Sequence, residues 1–150
     1  MSKANDFLKL VSEAEGKKGA KILFLNANEV FLVKEKGSKN WIIPGGVSAK
    51  TDGDLHDTAI RSFRECMNGE LPGYASTGKS HESYDEDYNC DVTTFLFQPQ
   101  DKFQPKSLKE PLEEAQWFKL DSLPKNIHPS TKKALEHFNL QMLEKPRGWK

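Results

Sequence analysis

The stretch Trp41–Gly73, WIIPGGVSAKTDGDLHDTAIRSFRECMNGELPG, decides how this 150-residue chain folds. It begins with a short apolar strand that ends at Pro44–Gly46, because proline cannot donate a ladder hydrogen bond and paired glycines allow backbone conformations closed to other residues. A polar loop then leads into a helix that the apolar spacing predicts up to Met67. The helix should end at Asn68-Gly69, since both residues tolerate the left-handed conformation of a C-terminal cap.

This stretch resembles the Nudix box, whose pattern is G-x5-E-x7-R-E-U-x-E-E-x-G-U, with U a bulky apolar residue. Gly46 matches the first glycine, and Asp52 stands where the first glutamate falls. Arg61 matches the arginine, fifteen positions after the glycine where the pattern has fourteen. Phe63 matches the apolar position, and Glu65 matches the first of the paired glutamates.

The departures from the pattern concern the residues that bind metal in the family. Three carboxylates on one helix face hold Mg²⁺ or Mn²⁺ there, and the metal neutralises a diphosphate and activates the attacking water. The corresponding residues here are Ser62, Glu65 and Cys66. A thiol is too soft to replace a carboxylate as a magnesium ligand, so the resemblance implies the fold more strongly than the chemistry. Asn68 replaces the closing glycine, which is a milder change.

The resemblance implies an α+β fold, a Nudix-like α/β/α sandwich with a mixed sheet, a box helix and a C-terminal helix. The domain is expected over residues 20–145, after an arm or helix at 1–19 and before a basic tail at 146–150. The flanking segments agree with this arrangement: they predict a hairpin at Ala20–Glu35, strands at Asp91–Gln98 and Glu113–Pro124, and a helix at Pro129–Lys145 with Ser130 as N-cap.

Composition narrows the class of protein. The formal net charge is zero, which does not indicate nucleic acid as an obligatory partner. Two cysteines give neither a disulfide framework nor a metal-binding spacing, so a reducing cytoplasm is expected. No apolar segment of about 18 residues is present, and a membrane location is therefore not expected.

The segment Leu71–Asn89 is polar and contains several helix- and strand-breaking residues, so it is predicted to be a loop. Two interpretations stay open. The loop could supply metal ligands that the helix lacks, or tyrosines that stack on a base; it could also be a solvated acidic loop without such a role.

The resemblance assigns roles to individual residues. Glu65 and Arg61 are the candidate catalytic residues, and Glu65, Asp54 and Asp57 are the candidate metal ligands. Capping of the helix is an alternative role for the aspartates. A further acid could come from Glu82–Asp87 or from Glu113–Glu114.

The strand before the box is expected to border the ligand. Trp41, Gly45 and Gly46 are the candidate substrate-binding residues, although Trp41 could equally be a core aromatic. The run Trp41–Gly46 resembles Nudix enzymes that act on dinucleoside polyphosphates and diphosphoinositol phosphates, but it is too short to assign a substrate.

Two hypotheses about function follow. In the first, the protein is a Mg²⁺- or Mn²⁺-dependent pyrophosphohydrolase of a nucleoside diphosphate linked to another group, with weak activity because Ser62 and Cys66 replace glutamates. In the second, the same cleft binds a nucleotide, an RNA end or a protein without hydrolysis.

Overall fold

The computed structural model describes residues 18–86 and 88–138. The strands and helices within them follow one another in this order: β1 Gly19–Asn26, β2 Glu29–Glu35, β3 Trp41–Ile42, β4 Gly45–Val47, α1 Leu55–Cys66, β5 Tyr74–Asp85, β6 Cys90–Pro99, β7 Leu112–Lys119 and α2 Pro129–His137. The predicted helix at Asn5–Glu15 and the predicted tail lie outside the described residues.

The strands form a mixed sheet in which β1 occupies the centre. It runs parallel to β6, from the pair Gly19 and Val92 to the pair Phe24 and Phe97. It pairs antiparallel with β4 along its first residues and with β2 at the hairpin turn. β5 lies beyond β6 at one edge, and both β3 and β7 pair with β2. This is the mixed sheet that the Nudix resemblance implies.

Both faces of the sheet are covered, because successive side chains of a strand point to opposite faces. Ile22 and Phe24 of β1 pack on the side of α1, whereas Leu23 packs on the side of α2. In β2, Phe31 faces α1 and Leu32 faces α2. The two strands read as nearly continuous apolar runs for this reason, and the sandwich prediction is confirmed.

The helix predicted from the box is α1. Its N-cap is Asp54, whose side chain accepts a hydrogen bond from the backbone N–H of Asp57. Phe63 and Met67 are fully buried against the sheet. The chain leaves the helix at Asn68, whose φ of 52° lies in the left-handed region, as the sequence predicts.

The segment Leu71–Asn89 is not a loop, and this prediction was wrong. Most of it forms β5, which pairs antiparallel with β6 over its length and has a register irregularity between Ser76 and Lys79. The strand lies at the edge of the sheet, where polar side chains are favoured because they discourage further strand pairing. Gly78, with a φ of +80°, belongs to the irregularity and is not a strand terminator.

The C-terminal helix begins as predicted but is capped differently. His128 is the N-cap, and its Nδ1 accepts a hydrogen bond of 3.1 Å from the backbone N–H of Ser130. Ser130 was predicted for this position, but it lies inside the first turn. Pro129 occupies the first helical position, so the preceding residue, His128, is the N-cap instead of Ser130. Among the helices of the described residues, none is long and apolar enough to cross a membrane.

Candidate active-site cleft

A cleft of about 370 Å³ opens between β4, the C-terminal half of α1 and the segment before β7. Gly45 and Gly46 form one wall. The second wall consists of four residues from α1, and the third comes from the end of β2 and from the segment before β7. The helix residues in the second wall are Arg61, Ser62, Glu65 and Cys66. The cleft therefore lies at the box helix.

Arg61 connects the loop before α1 to the helix. Its Nε and Nη2 atoms donate to the two carboxylate oxygens of Asp52 at 2.9 and 3.0 Å. Nη1 donates to Glu65 at 3.1 Å, and Nη2 also donates to the carbonyl of Val47 at 2.7 Å. The bidentate pair fixes the side chains of Arg61 and Asp52. Arg61 then holds Glu65 beside the cleft through the hydrogen bond from Nη1.

Asp52 is nearly buried and accepts two more hydrogen bonds, from the backbone N–H of Ala49 and the hydroxyl of Thr58, each at 2.8 Å. The hydrogen bonds from Arg61 hold the pKa of Asp52 well below its ordinary value. Burial of the carboxylate acts in the opposite direction but is the smaller effect. Asp52, which occupies the position of the first glutamate of the box, therefore ties the loop before α1 to the helix.

This pKa predicts how stability depends on pH. A carboxyl group with a depressed folded-state pKa stabilises the protein above its unfolded pKa of about 3.9, and this contribution is lost as the pH falls towards the folded value. We expect Asp52→Asn to lower the free energy of unfolding by about 2 kcal/mol at pH 6. The difference from wild type should shrink as the pH falls below about 4. Urea denaturation at several pH values measures both. A difference that stays constant between pH 6 and pH 3 would contradict this assignment.

Ser62 is 3% exposed, and its hydroxyl has no hydrogen-bond partner among the described residues. A Cβ atom added to Gly46 would lie 2.8 Å from this oxygen. A side chain at position 46 would crowd Ser62, so a glycine suits the close approach of β4 to the helix and agrees with the alignment of Gly46 with the first glycine of the box. Cys66 Sγ lies 4.0 Å from the carbonyl oxygen of Gly45, and burial raises the pKa of the thiol. It therefore stays protonated at neutral pH.

The donor set at the three box positions is one carboxylate, one buried hydroxyl and one protonated thiol. It does not form a cage of several carboxylates. Mg²⁺, however, keeps several waters and often takes only one or two carboxylates together with the phosphates of its substrate. Glu65 has a half-exposed side chain and lines the cleft, so the residues present fit a metal ion that arrives with a diphosphate.

Asp54 and Asp57 lie elsewhere on the helix. Their carboxylates and the His56 ring have ligand atoms within 4.8 Å of one another at the N-terminus of α1. Glu65 lies eight positions after Asp57, which amounts to about 12 Å along the helix axis. The structure does not bring the three predicted metal ligands together around one ion, and the Asp54 side chain caps the helix.

The structure places the other predicted residues as follows. Trp41 is 9% exposed, and its ring packs against Phe118 with ring centroids 4.8 Å apart, in the core beneath α2. Trp41 does not line the cleft, so the core interpretation fits its position.

The candidate acids from other segments also lie outside the cleft. Glu82 lies on β5 within 4.0 Å of Lys18, and Glu114 pairs with Lys34 at 3.1 Å. Neither acid lines the cleft.

The acids that do line it with Glu65 are Glu35, at the end of β2, and Glu110, before β7. Sequence reasoning did not single them out, because no local spacing relates them to the box. Backbone hydrogen bonds bring them there: Lys109 N–H donates to the carbonyl of Cys66, and Lys36 N–H donates to that of Pro111. Tertiary contacts, and not a local sequence pattern, therefore place Glu35 and Glu110 in the cleft.

Comparisons with known proteins agree with this geometry. The NUDIX domain family model matches residues 17–138. No curated protein sequence matches the chain significantly. Among solved structures, the Ap4A hydrolase binary complex from C. elegans is similar with a TM-score of 0.64 and 17% identity, covering 82% of this chain and 95% of that one. The MutT NUDIX hydrolase from Burkholderia pseudomallei gives 0.56 and 20%, covering 80% and 95%.

The family model covers most of the chain, and the described fold and cleft agree with it. The protein belongs to the NUDIX domain family. At identities of 20% or less, the structural neighbours show the fold alone.

Proposed function

We propose that this protein binds a nucleoside diphosphate linked to another group in the cleft beside Glu65 and hydrolyses its diphosphate bond at a low rate. The observation that carries the proposal is the position of Glu65 in a NUDIX-fold cleft, held by Arg61 and flanked by Glu35 and Glu110. A dinucleoside polyphosphate is a reasonable first substrate to test, because one structural neighbour is an Ap4A hydrolase.

The chain's own groups would act in distinct ways. Mg²⁺ or Mn²⁺, when bound with the diphosphate, would neutralise its charge and polarise the phosphorus centre. Glu65 would hold the metal, and Arg61 would orient that carboxylate. Glu35 or Glu110 would accept a proton from the attacking water. Lys109, which also lines the cleft, would attract the anionic ligand.

A specific observation favours a second candidate, in which the cleft binds without hydrolysis. Ser62 and Cys66 remove two carboxylates from the helix, and the hydroxyl and protonated thiol that replace them are poor magnesium ligands. The ligand would then be a nucleotide, an RNA end or a protein segment. Only the first candidate requires turnover, so an assay of hydrolysis separates the two.

The experiment measures nucleotide and phosphate release from ADP-ribose, dinucleoside polyphosphates, NADH and nucleoside triphosphates, with Mg²⁺ and with Mn²⁺. We expect a slow, metal-dependent release that Glu65→Gln reduces at least about tenfold, because the metal loses its carboxylate. Glu82→Gln is the matched control, since Glu82 lies outside the cleft, and it should keep the wild-type rate.

The outcomes separate the candidates. Turnover that is unaffected by Glu65→Gln would contradict the assignment of Glu65. No turnover together with ligand-induced thermal stabilisation would favour the binding function.

The free thiols of Cys66 and Cys90 suit a reducing compartment, and we propose the cytoplasm as the location.

A further inference from the structure

One polar group in the wall of the cleft lacks a hydrogen-bond partner. Ser62 of α1 is 3% exposed, and its Oγ atom makes no hydrogen bond with any of the described residues. Buried hydroxyl groups are usually hydrogen-bonded, because burying an unpaired polar group costs free energy. Since Ser62 lines the cleft, its unpaired hydroxyl indicates a hydrogen bond that forms when a ligand occupies the cleft.

The backbone opposite this hydroxyl leaves space beside it. A Cβ atom added to Gly46 would lie 2.8 Å from Ser62 Oγ and 3.2 Å from Ser62 Cβ, and it would approach no other residue within 4 Å except its chain neighbours. Any larger residue at position 46 would therefore fill the space next to the hydroxyl. Both residues line the cleft, so a ligand would meet the hydroxyl on this side.

The neighbouring donors of α1 are already engaged. The guanidinium group of Arg61 is held by two carboxylates and a backbone carbonyl. The Cys66 thiol is directed at the carbonyl oxygen of Gly45, at a distance of 4.0 Å. Among the described residues in this wall of the cleft, Ser62 thus has the donor that the protein leaves for a ligand.

The charges around the cleft indicate which ligand group this donor meets. Two cationic and three anionic side chains line it, namely Arg61, Lys109, Glu35, Glu65 and Glu110. Glutamates at positions 62 and 66, as in the complete box, would raise the number of carboxylates to five and would repel a phosphate that approached without a metal ion. The neutral hydroxyl avoids this repulsion, and a phosphate oxygen accepts a hydrogen bond from it.

We infer that the Ser62 hydroxyl donates a hydrogen bond directly to an oxygen of the bound diphosphate, so that the cleft holds this group even in the absence of a metal ion. Lys109 attracts the anion, and the glutamates remain as ligands for a metal ion that binds afterwards. An ionised glutamate at position 62 has no donor for such a contact. The inference rests on the proposed function, because it takes the ligand to carry a diphosphate.

The test measures binding of methylenediphosphonate in the presence of EDTA by isothermal titration calorimetry. This probe has the two charged groups of a diphosphate but a carbon bridge that water does not hydrolyse, so binding is measured without turnover. We expect the wild-type protein to bind it, and Ser62→Ala to bind it about tenfold more weakly, because one hydrogen bond to a charged group is lost. Ser62→Ala should also weaken binding when Mg²⁺ replaces EDTA, since the contact does not pass through the metal.

Thr131→Val is the matched control. Thr131 is fully buried on α2, its hydroxyl also has no partner among the described residues, and it does not line the cleft. Removing an unpaired buried hydroxyl removes its desolvation cost, so both variants should unfold at or above the wild-type temperature when no ligand is present. Ser62→Ala should lose affinity for the probe, whereas Thr131→Val should keep it. A purely structural role of Ser62 would not produce this difference.

The failure of the inference and the failure of the proposed function are distinguishable. Equal affinities of the wild type and Ser62→Ala would overturn the inference, and so would a wild-type protein that does not bind the probe without metal. Turnover that depends on Glu65 would leave the proposed function standing in either case. Binding that depends on Ser62, in a protein without turnover, would support the inference and contradict the proposed hydrolysis.

Discussion

A variant that carries Ser62→Glu and Cys66→Glu should bind Mn²⁺ about a hundredfold or more tightly than the wild-type protein. Each added carboxylate contributes a charged interaction of about 1.5–3 kcal/mol, and 1.4 kcal/mol corresponds to a factor of ten in affinity. Both positions line the cleft beside Glu65, one turn of helix or less away. The three carboxylates would then share one helix face, as in the complete box. Calorimetric titration with Mn²⁺ measures the affinity.

The matched control is the double variant Ser62→Gln and Cys66→Gln, which has side chains of similar size without charge. It should bind Mn²⁺ no better than wild type. The glutamate variant should also hydrolyse the preferred diphosphate faster than wild type. If it folds, as judged by circular dichroism, and binds Mn²⁺ no more tightly than the control, the alignment of Ser62 and Cys66 with the box glutamates is wrong.

The fold was largely predictable because its signals are local. The end of the strand before Pro44, the N-cap Asp54 and the stop at Asn68 each act through the backbone within a few residues, and the structure has all three. Gly45 and Gly46, which were predicted to belong to the break, instead begin β4. The error at β5 has a physical reason. An edge strand exposes one side to water, so its polar residues resemble those of a loop, and only the pairing with β6 distinguishes the two.

The site was predictable only in part. Glu65 and Arg61 belong to one helix, so their spacing alone places them together, and the hydrogen bond between them follows. Glu35, Tyr88 and Glu110 come from three distant segments, and only the tertiary fold brings them to the same cleft. Trp41 shows the opposite case: its sequence position beside the box suggested ligand contact, but alternation along the strand turns its ring towards α2.

Lys21→Met should lower the free energy of unfolding by about 3–5 kcal/mol, since it leaves the buried Asp85 charge without its cation. A domain of this kind is stable by about 5–15 kcal/mol in total, so the loss is a large fraction. Methionine has a similar length and no charge, and it limits the effect of a cavity. Urea denaturation at pH 7 measures the change.

Lys102→Met is the matched control, because Lys102 forms an ion pair with Glu29 at 2.9 Å near the surface, with a half-exposed lysine side chain. It should cost no more than about 1 kcal/mol. Adding Asp85→Leu to Lys21→Met should restore part of the loss, since an apolar pair can replace a buried ion pair. A cost of less than about 1 kcal/mol for Lys21→Met would contradict this prediction, because other groups around Asp85 would then compensate its charge.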